Sequence, residues 1–359
     1  MCLMLPLPQL AQFLTTHPEV IEKAGIRETY GHALEVSGNV RLGDDCAAIP
    51  NPAGTGHLLF AAEGMLESFV EDDPWFAGYS AVMVNLSDIA AMGGRPVALT
   101  DILWSPSDEI SSQIWQGMQE AAMAYGVPIV GGHTTHLASG KAALGAAVLG
   151  HAGDRLITSF DAKPGDHLVI AIDLHGSYRD DKPFWNSSTL TSPRRLRTDL
   201  ELLPSLAEKG LCRAGKDISN GGIIGTLAMF CNCSEVGAIL DLEDVPCPME
   251  AEFEQWLISF PSYGYLLAIS PEDLEGALSH FTATRITCRE IGHFTEELGI
   301  TLTADGDAVA LVFGQPGIHA AGDVLDLDEA LIEQQLHRLG GTTTGFAMDE
   351  DLSVARQTI

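Results

Sequence analysis

From Gly78 to Gly94 the chain carries a single charge, the carboxylate of Asp88, in a stretch otherwise made of apolar and small residues. Val82, Leu86, Ile89 and Ala90 recur at i, i+4, i+7 and i+8, which predicts a helix over 78–92 with an apolar stripe. A lone carboxylate beside such a stripe is costly to bury unless a cation or hydrogen-bond donors satisfy it. Asn85 lies three residues earlier on the same side and offers a second oxygen. The ordinary alternative is an Asp solvated at the edge of a surface helix.

Around this helix, short apolar runs alternate with helical patterns, the grammar of an α/β or α+β protein. Strands are expected at 58–62, 97–104, 128–131 and 142–150, and a helix over 108–125 that stops at Gly126 and Pro128. Turn chemistry at Asp161, Pro164, Gly165 and Asp166 interrupts the pattern and puts a boundary near residues 152–162. Beyond it, strands are expected at 167–172, 236–242, 263–269, 286–293 and 308–313. Helices are expected at 197–209, 222–231, 249–259 and 272–281. The division is 1–155, 156–315 and an acidic appendage, 316–359, with one helical stretch at 328–339.

Several short motifs lie at the ends of these elements. Gly43-Asp44-Asp45 places two adjacent carboxylates in a glycine-led turn, and Ala62-Glu63-Gly64 places one at a strand end. Hard oxygen ligands from separate loops suit Mg²⁺, which shares its shell with water and phosphates, although a Gly-Asp-Asp turn is also ordinary Asx capping. Gly131-Gly132-His133 follows a predicted strand, where a glycine pair lets backbone N–H groups approach a ligand. His133 suits a metal or a phosphate, or simply caps the strand end, and His136 lacks the further ligands a zinc site needs. Asp217, Ser219 and Asn220 precede a helix beginning near Gly222, and Ser219 or Asn220 is a natural N-cap. The same helix N-terminus is equally a phosphate cradle.

Read together, Glu71 to Pro74, Asn85-Leu-Ser-Asp-Ile-Ala-Ala-Met-Gly93 with Pro96, Gly43 to Ala48, Gly131 to Thr134 and Lys216 to Gly221 form an ordered set. The set resembles the signature of the superfamily containing aminoimidazole ribonucleotide synthetase, selenophosphate synthetase, thiamine-monophosphate kinase and hydrogenase maturation protein E. It covers about residues 35–315 and is most similar to the AIR synthase-related branch. The resemblance implies an N-terminal sheet that joins a partner's in a dimeric barrel through strands 58–62 and 142–150, and a C-terminal α/β domain beside it.

It further implies ATP with Mg²⁺ in a long cleft, and phosphorylation, or activation by phosphorylation, of a small-molecule acceptor. Carried over, Asp44, Asp45, Glu63 and Asp88 are metal ligands. Gly43, Asn85, Gly131, Gly132, Ser219 and Asn220 are nucleotide-binding residues, and His133 and Asp217 are candidate catalytic groups. Three departures stand out. Thiamine-monophosphate kinase has Asp where His133 and Asn220 stand. The selenophosphate enzyme's reactive Cys with a nearby Lys is absent, because Cys2 has no Lys before Lys23. The Gly-Thr-Lys string of the purine synthetase is not supplied by Ala62-Glu63-Gly64-Met65. A thiamine-monophosphate kinase-like phosphotransferase and a non-catalytic ATP-binding or maturation scaffold are the alternatives.

Charge narrows the partners. A formal net charge of −30 argues against nucleic acid and anionic membranes, and the only dense basic stretch is Arg194, Arg195 and Arg197. The seven cysteines are scattered without zinc spacing and read as reduced core thiols. The apolar N-terminus lacks a positive n-region and nothing approaches a membrane span, so a cytoplasmic protein is expected; the resemblance implies a homodimer acting on a small molecule.

Overall fold

A computed structural model of the protein describes residues 5–25, 40–179 and 182–311. The expected appendage at 316–359 and its helix at 328–339 lie outside these residues, as does Cys2. The chain opens with α1 (Leu7–Thr16) and α2 (Pro18–Gly25). There follow β1 (Ala47–Pro50), β2 (His57–Gly64), α3 (Glu67–Asp72), α4 (Pro74–Ala91), β3 (Arg95–Ser105), α5 (Asp108–Tyr125), β4 (Ile129–His136) and β5 (Ala143–Ala152). These strands form a sheet in the order β1-β2-β5-β3-β4, antiparallel except for the parallel pair β3 and β4.

One face of this sheet is covered by α4 and α5. Leu59, Ala61, Leu99, Leu103, Ala146 and Val148 alternate inward from three strands onto Val82, Leu86 and Ile89. Helix α4 is buried along almost its whole length, so it is an interior helix and not a surface one. The two helices cross where neither has a side chain. A Cβ on Gly117 would stand 1.9 Å from the Trp75 carbonyl oxygen, and one on Gly78 2.1 Å from that of Ile114. The opposite face of the sheet is bare and carries Ile49, Phe60, Leu149, Ile102 and Trp104. The sheet is open, with β1 and β4 at its edges, so a single chain does not close the barrel that the resemblance implies.

The second part contains β6 (His167–Ile172), β7 (Ser177–Tyr178), β8 (Phe184–Asn186), α6 (Pro193–Leu200), α7 (Leu202–Lys209), β9 (Ala214–Asp217), α8 (Gly222–Ser234) and β10 (Gly237–Asp241). It continues with α9 (Phe253–Leu257), β11 (Phe260–Pro261), β12 (Gly264–Ile269), α10 (Leu274–Phe281), β13 (Thr287–Thr295), β14 (Gly299–Ala304) and β15 (Asp307–Leu311). Its main sheet runs β15-β14-β10-β13-β6-β12-β9, with β11-β8-β7 as a small sheet beside it. The middle strands β6 and β12 are buried on both faces, which is why they read as unbroken apolar runs. On one side they meet α8, and on the other α7, α10 and Ala90 and Ala91 at the end of α4.

Leu7, Leu10 and Leu14 of α1 are buried in this second core, beside Ile223, Leu227 and Leu311. The apolar stripe of the first helix is thus covered by the far sheet and not by the sheet of the unit expected at 1–155. Arg95 binds Glu201 at 2.8 Å and Glu208 at 2.6 Å, and Arg179 binds Asp73 at 2.5 Å, tying the two parts together. The helix expected over 197–209 is two helices meeting at Glu201, and the one expected over 249–259 is the short α9. Among the described residues no helix is long and apolar enough to cross a membrane.

Candidate functional site

The end of α4 that carries Asp88 faces the ends of β2 and β9 and the turn before β1, and a cleft of about 260 Å³ opens between them. Gly43, at φ +101°, starts that turn, a conformation that favours glycine, and sends Asp44 and Asp45 inward. Asp44 Oδ1 accepts from Ser159 Oγ at 2.6 Å and Ser159 N at 3.0 Å. Asp45 forms a fully buried ion pair with Lys216, and its other oxygen accepts the Asp217 backbone N–H at 3.2 Å. The lone carboxylate of the central helix is 5% exposed, and its Oδ2 has no partner; Asp44 Oδ2 is likewise buried without one.

Burial sets the electrostatics. It raises the Asp44 carboxyl to about 6, helped by Asp45 and opposed by Lys216, and raises Asp217 to about 8, with Asp45 adding to the effect. Asp88 is pushed well above the carboxylate range by burial and then by Asp217 and Glu63. Glu63 is raised by burial and drawn back by Lys23. Burial opposes the charge of Lys216, but Asp45, Asp217 and Asp44 outweigh it and hold the ammonium protonated. Among the described residues no three His, Cys, Asp or Glu side chains converge into a finished metal cage. Two orphaned carboxylate oxygens in a set of hard donors fit Mg²⁺, which takes few protein ligands and completes its shell with water and phosphate. They do not fit zinc.

The rest of the cleft is of different character. Met65, Phe69, Phe76, Met83, Phe184 and Phe260 line it, with Phe69 and Phe184 centroids 4.9 Å apart. Acidic groups thus gather with two lysines beside a flat-sided apolar wall.

Of the residues singled out from sequence, the structure brings Asp44, Asp45, Glu63, Asp88, Asp217, Ser219 and Asn220 to the cleft. Five others line no part of it. Asn85 is fully buried, donates back to the Ala81 carbonyl at 2.8 Å, and leaves its Oδ1 unpartnered. Gly43 shapes the turn and offers its carbonyl to Cys233 Sγ at 3.4 Å. Gly131, Gly132 and His133 lie within β4 and not after it, because this strand pairs with β3 as far as His136. His133 is paired in register with Ile102, exposed on the bare face, with its Nε2 3.1 Å from Thr135 Oγ1. Neither Ser219 nor Asn220 caps α8; the cap is Gly221 at φ 82°, which leaves the first turn without a side-chain acceptor. The sequence alone assigns no role to Lys216 or Lys23, and only the excess of carboxylates over cations in the cleft signals a need for them.

The chain belongs to the AIR synthase related protein family: the family's N-terminal domain matches residues 43–152 and its C-terminal domain 151–305. An uncharacterized protein of Synechocystis sp. is 50% identical over 265 residues, 73% of this chain and 81% of that protein. Thiamine-monophosphate kinase of Synechococcus elongatus is 31% identical over 258 residues, 64% of this chain and 77% of the kinase. The solved structure of T. maritima PurL complexed with AMPPCP overlays with a TM-score of 0.68 at 19% identity, covering 93% of this chain. The chain spans 57% of the length of that PurL chain, and the likeness is one of fold.

Proposed function

We propose that the protein is an ATP- and Mg²⁺-dependent enzyme that phosphorylates, or activates by phosphorylation, a small-molecule acceptor. The observation that carries this reading is the buried carboxylate cluster with unpartnered oxygens on Asp44 and Asp88, in a cleft that Ser219 and Asn220, just before α8, also line. Buried, uncompensated carboxylates are costly without a cation. That a related fold is crystallised with AMPPCP, and that one relative is a kinase, supports the nucleotide.

In this reading Asp44, Asp45, Asp88 and Asp217 hold Mg²⁺, with Glu63 at the margin. Lys216 holds Asp45 in place through the buried ion pair. Ser219, Asn220 and the first turn of α8 receive phosphate oxygens, where N–H groups and the helix dipole favour an anion. The apolar wall of Phe69, Phe76, Phe184 and Phe260 takes flat, uncharged parts of the ligands and keeps water from the reacting end. Bound Mg²⁺ supplies neutralisation of phosphate charge, so the transfer rests on positioning and needs no nucleophilic side chain.

The assembly proposed is a homodimer, because a bare sheet face carrying Phe60, Leu149, Ile102 and Trp104 is apolar surface that a second copy would cover. His133 is on that face and takes no part in the cleft of its own chain. The domain division proposed is the one at residues 152–162, with α1 and α2 assigned to the second unit.

Single-turnover ADP formation from ATP, with thiamine monophosphate and then fractionated metabolites as acceptors, tests the reading. Acceptor-dependent ADP is the expected result. ATP binding without turnover under any fraction would make the protein a nucleotide-binding scaffold instead.

A further inference from the structure

We propose that Lys23, on the N-terminal helix α2, binds the terminal phosphoryl group of the nucleotide; the proposal rests on the ATP reading above. The family match begins at residue 43, so this lysine comes from outside the matched domains. Helix α2 lies across the start of α8, and two glycines permit the approach. A Cβ on Gly221 would stand 3.1 Å from the Glu19 carbonyl oxygen, and one on Gly225 would stand 3.4 Å from Lys23 Cγ. The close approach carries the Lys23 side chain over the turn before α8 and into the lining of the cleft, where Nζ donates to Ser219 Oγ at 2.9 Å.

The charge inventory of the cleft then assigns the lysine a task. Asp44, Asp45, Glu63, Asp88 and Asp217 face two ammonium groups, and Lys216 is tied to Asp45 in a buried pair. Among the described residues, Lys23 has only the neutral Ser219 hydroxyl as a hydrogen-bond partner, and no carboxylate within ion-pair distance. An ammonium has three donors, so two remain for a ligand. Its field acts on Glu63 and Asp217, which places it at the carboxylate end of the cleft. A cation with spare donors beside a cation-demanding cluster suits the most highly charged part of the incoming ligand, and lysine binds phosphate as a point charge.

The test is calorimetric titration of AMPPCP and of ADP, each with Mg²⁺, into the full-length wild-type protein and Lys23→Met, which keeps the length and removes the charge. A charge-assisted contact to the terminal phosphate predicts a loss of roughly 10- to 100-fold for AMPPCP, with ADP affinity changed by less than about 3-fold. Retained ADP binding shows that the variant's site is intact. Unchanged AMPPCP binding, or an equal fall for both nucleotides, overturns the proposal while leaving the ATP reading in place. A wild-type protein that binds neither nucleotide overturns the ATP reading, and the role of Lys23 with it.

Discussion

Asp88 stands out in the sequence as a lone charge in an apolar helix, and in the structure its Oδ2 is buried without a partner. Asp88→Asn keeps the shape and removes the charge. It should weaken Mg²⁺-dependent ATP binding by roughly 10- to 100-fold in calorimetry, while the metal-free melting temperature stays within about 3 °C. Unchanged affinity would make the residue a mere interior Asp. A second test at this scale uses pH. The Asp217 carboxyl titrates near 3.8 when unfolded and near 8 when folded, so between those values the folded state holds the proton more tightly. The metal-free protein should therefore lose stability as pH rises from about 4 to about 8, by at most ~1.4 kcal/mol per unit for one such group. Urea midpoints across that range should fall for the wild type and fall less for Asp217→Asn; parallel curves would contradict the assignment. Asn85 was misplaced, since i to i+3 spacing gives a side of the helix but not the depth at which that side is packed. Lys23 and Lys216 were not legible, because a lysine's default is solvent and only the folded cluster of carboxylates shows what each one neutralises.

At the scale of elements, the helix at 108–125 could be read to the residue. Ser107 caps it by accepting from the Glu109 and Ile110 N–H groups, and Gly126 ends it in the left-handed region. What could not be read was contact between elements. Gly78 and Gly117 look like breakers within helical patterns, yet they are the surface on which α4 and α5 cross. Gly117→Ala should therefore cost about 2 kcal/mol or more in urea unfolding, although alanine is the better helix former; a neutral or stabilising effect would show that the helices do not approach so closely. The glycines of β4 misled in the opposite direction, since the pair reads as following a strand when it lies within one. Gly132 pairs with Asp101 inside the strand, and a Cβ there would stand 2.0 Å from Asp101 Oδ1, so the glycine marks a close approach.

For the whole molecule, the mixed α/β plan was legible in the alternation of apolar runs with helical patterns, but the destination of α1 was not. Its stripe of Leu7, Leu10 and Leu14 declares a helix that must be covered, and nothing local says that the cover is a sheet far along the chain. The bare face of the first sheet is the other feature that belongs to this scale. Phe60→Asp should convert the proposed dimer to a monomer in light scattering at micromolar concentration; a monomeric wild type would remove the dimer from the account. The central claim is that a chain of net charge −30 holds a polyanionic nucleotide through a divalent cation set among its own buried carboxylates. Calorimetric titration of ATP into the wild-type protein, in excess Mg²⁺ and again in excess chelator, tests it most directly: binding in the first and its near-complete loss in the second is the predicted result, and equal affinity in both would contradict it.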